Sequence, residues 1–263
     1  MLPIQIQWSS SIASILSFFL SLGAVFAIFR WWRYHVKERE YWAIYGDLRR
    51  ASKRPIIVLP EHGTDPESGG SIITLEEALA LASFLAVISK HELEANCAFH
   101  REVTGAARHG NLILISGPVG NSVLDTFLKD AQHFPLVFNK SGDGEWSIYE
   151  RDTVGNLSLM HPPLNESTED YGIIAKWPNP WHRGSTVFVV SGLGVLGTLG
   201  CAYQFAERYR SITARLKAEF AEKTSHFAAI VRVRKCAESK PETMVLSLFP
   251  HARVGTDSQP TSE

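Results

Sequence analysis

Two short glycine turns carry the chemistry this chain can offer: Ser116-Gly-Pro-Val-Gly-Asn-Ser122 and Ser191-Gly-Leu-Gly-Val-Leu-Gly-Thr198. Each follows an uncharged β-branched run and opens a helical pattern. The first N–H groups of a helix have no partner inside it and attract anions such as phosphate. Glycine lets the backbone approach a ligand closely and adopt conformations closed to other residues. Gly117, Pro118, Gly120, Asn121 and Ser122 in the first turn are therefore candidate ligand-binding residues. Gly192, Gly194, Gly197 and Thr198 take that place in the second. The expected ligand is a nucleotide or a related phosphorylated small molecule. The alternative is that the glycines only pack helix against sheet.

The acid–base candidates are Glu61 and His62, just after a strand, and Asp170, at the start of one. An ordinary solvated loop residue is the plainer reading of each. No H-E-x-x-H, G-x-S-x-G or P-loop pattern occurs, so no catalytic constellation is specified. The sharpest enzymatic reading is hydrolysis of a nucleotide or glycosidic bond with Glu61 as base. Cys97, Cys201 and Cys236 lie far apart without zinc spacing, so no metal site is expected. Gly192, Gly194 and Gly197 spell G-x-G-x-x-G, but late in the chain. The next strand ends Val231-Arg-Val-Arg-Lys235, without the acid that would bind a ribose hydroxyl. Arg234 or Lys235 is placed to meet a phosphate instead.

These turns need a parallel sheet behind them. Strands are predicted over residues 55–60, 111–115, 186–190, 227–234 and 243–249, with shorter extended pieces over 135–138, 146–151, 158–161 and 171–177. Thr74 and Glu77 form a capping box, so a helix starts at Leu75 and runs to about Glu94. Further helices are predicted over 122–132 and, as one long element, 199–223. Strand, glycine turn, helix and strand in alternation give an α/β fold with a Rossmann-like, mostly parallel sheet and an antiparallel insertion. Residues 186–205 carry no charge and imitate a membrane span. Their glycines and β-branched start argue for strand, turn and helix.

Ahead of this domain, the 18 residues from Ile12 to Phe29 are uncharged, and Arg30, Arg33, Lys37 and Arg39 follow. About 20 apolar residues cross a bilayer core, and basic residues stay on the cytoplasmic side. The expectation is a single-pass anchor in the inner (cell) membrane, with its N-terminus outside and the domain in the cytoplasm. The predicted organisation is anchor 1–30, juxtamembrane helix 31–53 touching membrane lipid, domain 54–250 and disordered tail 251–263. A signal peptide fits poorly, because the positive charge is on the wrong side. A formal net charge of −1 excludes the basic excess of a nucleic-acid binder.

A third segment, Asp170-Tyr-Gly-Ile-Ile-Ala-Lys-Trp-Pro-Asn-Pro180, ends in a rigid turn, with Lys176 and Asn179 as residues that could face the ligand. Over roughly residues 111–205 the three motifs together resemble a Rossmann-like domain of bacterial proteins. That domain has a Gly-Gly-Pro-x-x-Asn turn, an Asp-Tyr-Gly strand ending Pro-Asn-Pro, and a Gly-x-x-Gly-Thr turn. Ser116 stands where its first glycine would be. At the level of fold the chain also resembles nucleotide-sensor (SLOG-type) domains of prokaryotic defence systems. The resemblance implies nucleotide binding as a sensor or signalling module, with no catalytic residue to transfer. The membrane helix would anchor it and transmit through a homo-oligomer. The rivals are the hydrolase above and a membrane-linked interaction module without a ligand.

Overall fold

A computed structural model describes residues 5–50, 54–65, 70–90, 92–131, 133–142, 144–161, 168–220, 226–236 and 240–251. Within the first stretch, the side chains of 5–18, 20, 33–37, 49 and 50 are not described. The expected tail over 252–263 and the juxtamembrane residues 51–53 lie outside the described residues. The chain divides into two units, Met1–Ala43 and Ile44–Glu263.

The first unit consists of helix α1 (Gln5–Arg50) up to Ala43, so the expected anchor and juxtamembrane helix are one continuous element. Phe19, Leu22, Val25, Phe26, Ile28 and Phe29 are all more than half exposed. Among the described residues, no helix is long and apolar enough to cross a membrane. The predicted span over 12–29 includes residues 12–18 and 20, whose side chains are outside that set.

The second unit is an α/β body. Its main sheet holds β1 (Ile56–Leu59), β2 (Asn96–Phe99), β3 (Leu112–Ile115), β7 (Glu169–Pro178), β8 (Thr186–Gly192), β9 (Phe227–Arg234) and β10 (Glu242–Pro250). Their order is β10-β9-β7-β8-β3-β1-β2. Strands β8, β3, β1 and β2 run parallel. Strand β7 lies antiparallel between β8 and β9, and β10 is antiparallel to β9. Between β3 and β7 the chain inserts a separate antiparallel sheet of β4 (Leu136–Lys140), β5 (Trp146–Arg151) and β6 (Leu157–His161). Strands β3 and β8 are buried on both faces, so they read as continuous apolar runs rather than alternating ones.

Alternation along the strands still assigns the two faces. Leu112, Leu114, Val187 and Val189 join one core with Leu124 and Phe127 of α3 (Ser122–Asp130) and with Leu136 and Ile148 of the inserted sheet. Phe188 points the other way, to Phe205 of α4 (Val195–Ala206), which meets Phe84 of α2 (Leu75–Lys90) edge-on. The last turn of α1 belongs to this second core. Tyr45 is fully buried, stacks on Phe188, tilts against Phe205 and donates its hydroxyl to the Phe205 carbonyl.

Residues 186–205 form β8, its turn and α4, as expected from the glycines. The capping box forms and α2 begins at Leu75, but it ends at Lys90 rather than near Glu94. The long helix expected over 199–223 is two, α4 and α5 (Tyr209–Glu219). Buried Gln204 explains the break. Its Nε2 bonds Ser211 Oγ at 2.7 Å and the Arg208 carbonyl at 3.3 Å, while its Oε1 accepts from Thr243. A polar side chain that fills the corner removes the need for the helix to continue.

Candidate functional site

The two glycine turns lie side by side at the carboxyl ends of neighbouring parallel strands, β3 and β8. The helices that follow leave to opposite faces of the sheet. Helix α3 packs on the inserted-sheet side, and α4 packs against α2 on the other. In an open α/β sheet a crevice forms where neighbouring connections diverge in this way, and ligands bind there. A cavity of about 130 Å³ occupies the spot. It is lined by residues 116–120 and 192–195 together with His62, Glu77, Phe138, Trp146 and Thr198. A larger depression of about 820 Å³ surrounds Trp177 and His251. It lies toward the start of β8, where Trp177 pairs with Val187, and no helix start opens into it.

The first turn is built from within. Ser116 has φ +87°, a conformation that favours glycine. Asn121 caps α3: its Oδ1 accepts from the Val123 and Leu124 amides at 3.2 Å each. Its Nδ2 donates to the carbonyls of Val58 at 3.2 Å and Ile115 at 3.0 Å. It is fully buried and holds the turn onto β1 and β3, rather than facing a ligand. The N–H groups of Gly117, Val119, Gly120 and Ser122 donate to no acceptor among the described residues. Gly117, Val119 and Gly120 line the cavity, whereas Ser122 turns its hydroxyl to His100 Nδ1 at 2.8 Å.

The second turn is already filled by its own chain. The Asp170 carboxylate accepts from the Gly197 amide at 2.6 Å, the Tyr171 amide at 2.7 Å and the Gly194 amide at 3.1 Å. Gly192 N–H donates to Thr198 Oγ1 at 3.1 Å, and Leu193 N–H to the Tyr171 carbonyl at 2.8 Å. A side chain at Gly192 would collide with the Thr198 amide, and one at Gly197 would meet the Tyr171 carbonyl at 2.6 Å. The glycines here let α4 sit hard against β7 and β8. Burial pushes the Asp170 carboxyl above its usual range, and the amides of Gly197, Tyr171 and Gly194 pull it part of the way back. Asp170 plays the part of an anion at a helix start, a structural role that accounts for its carboxylate.

Glu77 is the polar centre of the crevice wall. Its Oε2 accepts from the Thr74 amide at 3.0 Å and the Thr74 hydroxyl at 2.9 Å, and lies 2.8 Å from His62 Nε2. Burial works to raise this carboxyl. Hydrogen bonds from Ser116, Thr74 and His62 outweigh it and hold Glu77 below the usual range. Glu77→Gln is expected to cost about 2 kcal/mol at neutral pH, because four donor groups lose a charged acceptor. A carboxyl whose folded pKa is depressed stabilises above its unfolded pKa and loses that contribution as pH falls through the folded value. The gap between wild type and variant should therefore narrow below about pH 4.3. Denaturation midpoints measured across that range check it.

Other candidates fall elsewhere. Glu61 is tied to Arg101 at 2.9 Å and to the Ser71 hydroxyl at 2.7 Å, outside the cavity lining. His62 does line it. Lys176 is buried and pairs with Asp47 at 2.9 Å. Burial would raise the Asp47 carboxyl, but the Lys176 ammonium keeps it below its usual range. Asn179 donates to the carbonyls of Arg108 and Gly110 at 2.8 Å each. Both residues lie toward the start of β8, away from the turns. Arg234 is paired with Glu169. Among the described residues no group of three or more His, Cys, Asp or Glu is arranged to hold a metal.

No family model and no curated protein matches the chain. The crevice itself must carry the functional reading. Phe138, Trp146 and Glu77 were not recognisable as site residues in the sequence. The first two read only as strand residues and the third only as a helix cap.

Proposed function

We propose that this chain is a membrane-anchored protein whose α/β domain binds a nucleotide or related phosphorylated small molecule, as a sensor or signalling module. The observation that carries this reading is the first turn. Its unengaged backbone N–H groups open onto a crevice at the point where the helices after β3 and β8 part. The motif resemblance to a bacterial Rossmann-like domain and the fold-level resemblance to nucleotide-sensor domains point the same way. The hydrolase reading draws less support, because Glu61 is bonded to Arg101 and Ser71 and is not among the residues that line the cavity.

The anchor rests on residues 12–29, on the exposed phenylalanines that follow from Phe19, and on Arg30, Arg33, Lys37 and Arg39 after them. An exposed apolar helix surface is costly in water and favourable in lipid. The basic flank sets the domain on the cytoplasmic side.

The full chain in detergent, titrated calorimetrically with a panel of ribonucleotides, tests the binding. At least one is expected to bind at micromolar strength. Val119→Pro deletes one turn N–H at a position whose side chain is 75% exposed, and should weaken binding about tenfold with little change in melting temperature. No binding by any nucleotide, by ribose 5-phosphate or by phosphate ends the reading. Alkaline extraction of membranes tests the anchor: release into the supernatant would remove it.

A further inference from the structure

The inserted antiparallel sheet does more than cover one face of the core. On its inward face Leu136 and Ile148 are fully buried, and two strand positions further on Phe138 and Trp146 are half-buried and line the crevice. In the β4–β5 register Phe138 faces Ile148 and Lys140 faces Trp146, which makes Phe138 and Trp146 diagonal neighbours on one face. Two aromatic side chains beside unengaged amides are what a flat heterocycle joined to an anionic group requires. Stacking on an aromatic side chain accepts any base.

The charges around the cavity limit the anion. Glu77 lies in the wall, and Asp170 occupies the second turn. Among the described residues the lining contains no lysine or arginine, and His62, the one basic side chain among them, already faces Glu77. The nearby ammonium of Lys140 stands 5.5 Å from the Trp146 ring centroid. One anionic group finds donors at the first turn. Each further phosphate would meet carboxylate charge with no lysine or arginine among the described lining residues, Lys140 standing outside them on Trp146.

Resting on the nucleotide-binding reading, we infer that the ligand is a planar heterocycle bearing a single anionic group. Its ring lies against Phe138 and Trp146, its anion sits on the N–H groups of Gly117, Val119 and Gly120, and the second turn is closed to it. Phe138 and Trp146 thereby determine specificity, and Asp170 sets the limit on charge.

Calorimetry on the full chain tests this with AMP, GMP, CMP, UMP, ATP, ribose 5-phosphate and inorganic phosphate as probes. At least one nucleoside monophosphate is expected to bind tenfold or more tightly than ribose 5-phosphate, and ATP no more tightly than AMP. Trp146→Leu and Phe138→Leu should each reduce the monophosphate to the level of ribose 5-phosphate and leave ribose 5-phosphate itself unchanged. Trp146→Phe, which keeps a ring, should retain most of the preference. If ribose 5-phosphate binds and no monophosphate binds better, or if ATP binds more tightly than AMP, this inference falls while phosphate binding at the first turn stands. Unchanged preference in both leucine variants also overturns it. If no probe binds, both readings fall.

Discussion

Asp170→Ala is expected to destabilise the domain by about 3 kcal/mol. Removing the carboxylate leaves the amides of Gly194, Gly197 and Tyr171 without an acceptor, and an orphaned buried donor costs about 1–3 kcal/mol. Relief from burying the carboxylate returns part of this. Its folded pKa is raised, so the native state binds a proton more readily than the unfolded chain. Wild-type stability therefore falls as pH rises from the unfolded value through the folded one. The deficit of the alanine variant should accordingly be larger near pH 4 than near pH 7. Asp170→Asn separates charge from shape: its amide nitrogen would confront a backbone N–H, so it should recover at most half of the loss. A small carboxylate such as formate, added at high concentration, should raise the melting temperature of the alanine variant and not that of the wild type. Fluorescence-monitored denaturation of the full chain reads all three results. Loss of less than 1 kcal/mol, with no formate effect, would mean that the second turn does not depend on its internal anion.

Asn121→Ala is expected to cost a similar amount, about 3 kcal/mol. A helix cap contributes about 0.5–2 kcal/mol, and here the same amide also serves two buried carbonyls. Asn121→Asp is the discriminating variant. Aspartate is a good cap at an exposed helix start, but at this site it would aim an oxygen at the Val58 and Ile115 carbonyls. It should be no better than alanine. Both variants should also lose the binding expected at the first turn, because the free N–H groups of Gly117, Val119 and Gly120 are held in place by this side chain. The same denaturation and calorimetry experiments check both effects.

These two residues show where the sequence was informative and where it was not. The strands flanking the turns were legible because uncharged β-branched runs have few other uses. The start of α2 was legible because Thr74 and Glu77 are a local pair. Asp170 and Asn121 were legible only as polar groups near glycine turns. A helix start accepts a carboxylate from a ligand or from its own chain with equal chemistry. What decides is that β7 lies antiparallel beside β8 with Gly172 opposite Gly192, which brings Asp170 under the second turn from 24 residues upstream. No local pattern encodes that placement. Strand β2 was missed because four residues on a sheet edge show neither alternation nor a long apolar run. The break between α4 and α5 was missed because its cause is one buried glutamine, not a glycine or proline. Phe138 and Trp146 became wall residues only through the docking of the inserted sheet.

Tyr45 has a practical consequence for anyone wishing to detach a freely diffusing body from its helix. A cut at the end of α1, where the composition suggests a boundary, would strip that ring from between Phe188 and Phe205 and remove the carboxylate that answers Lys176. The trimmed remainder would begin life with an aromatic hollow and a buried ammonium deprived of the Asp47 carboxylate. The natural point of severance lies upstream of Ile44.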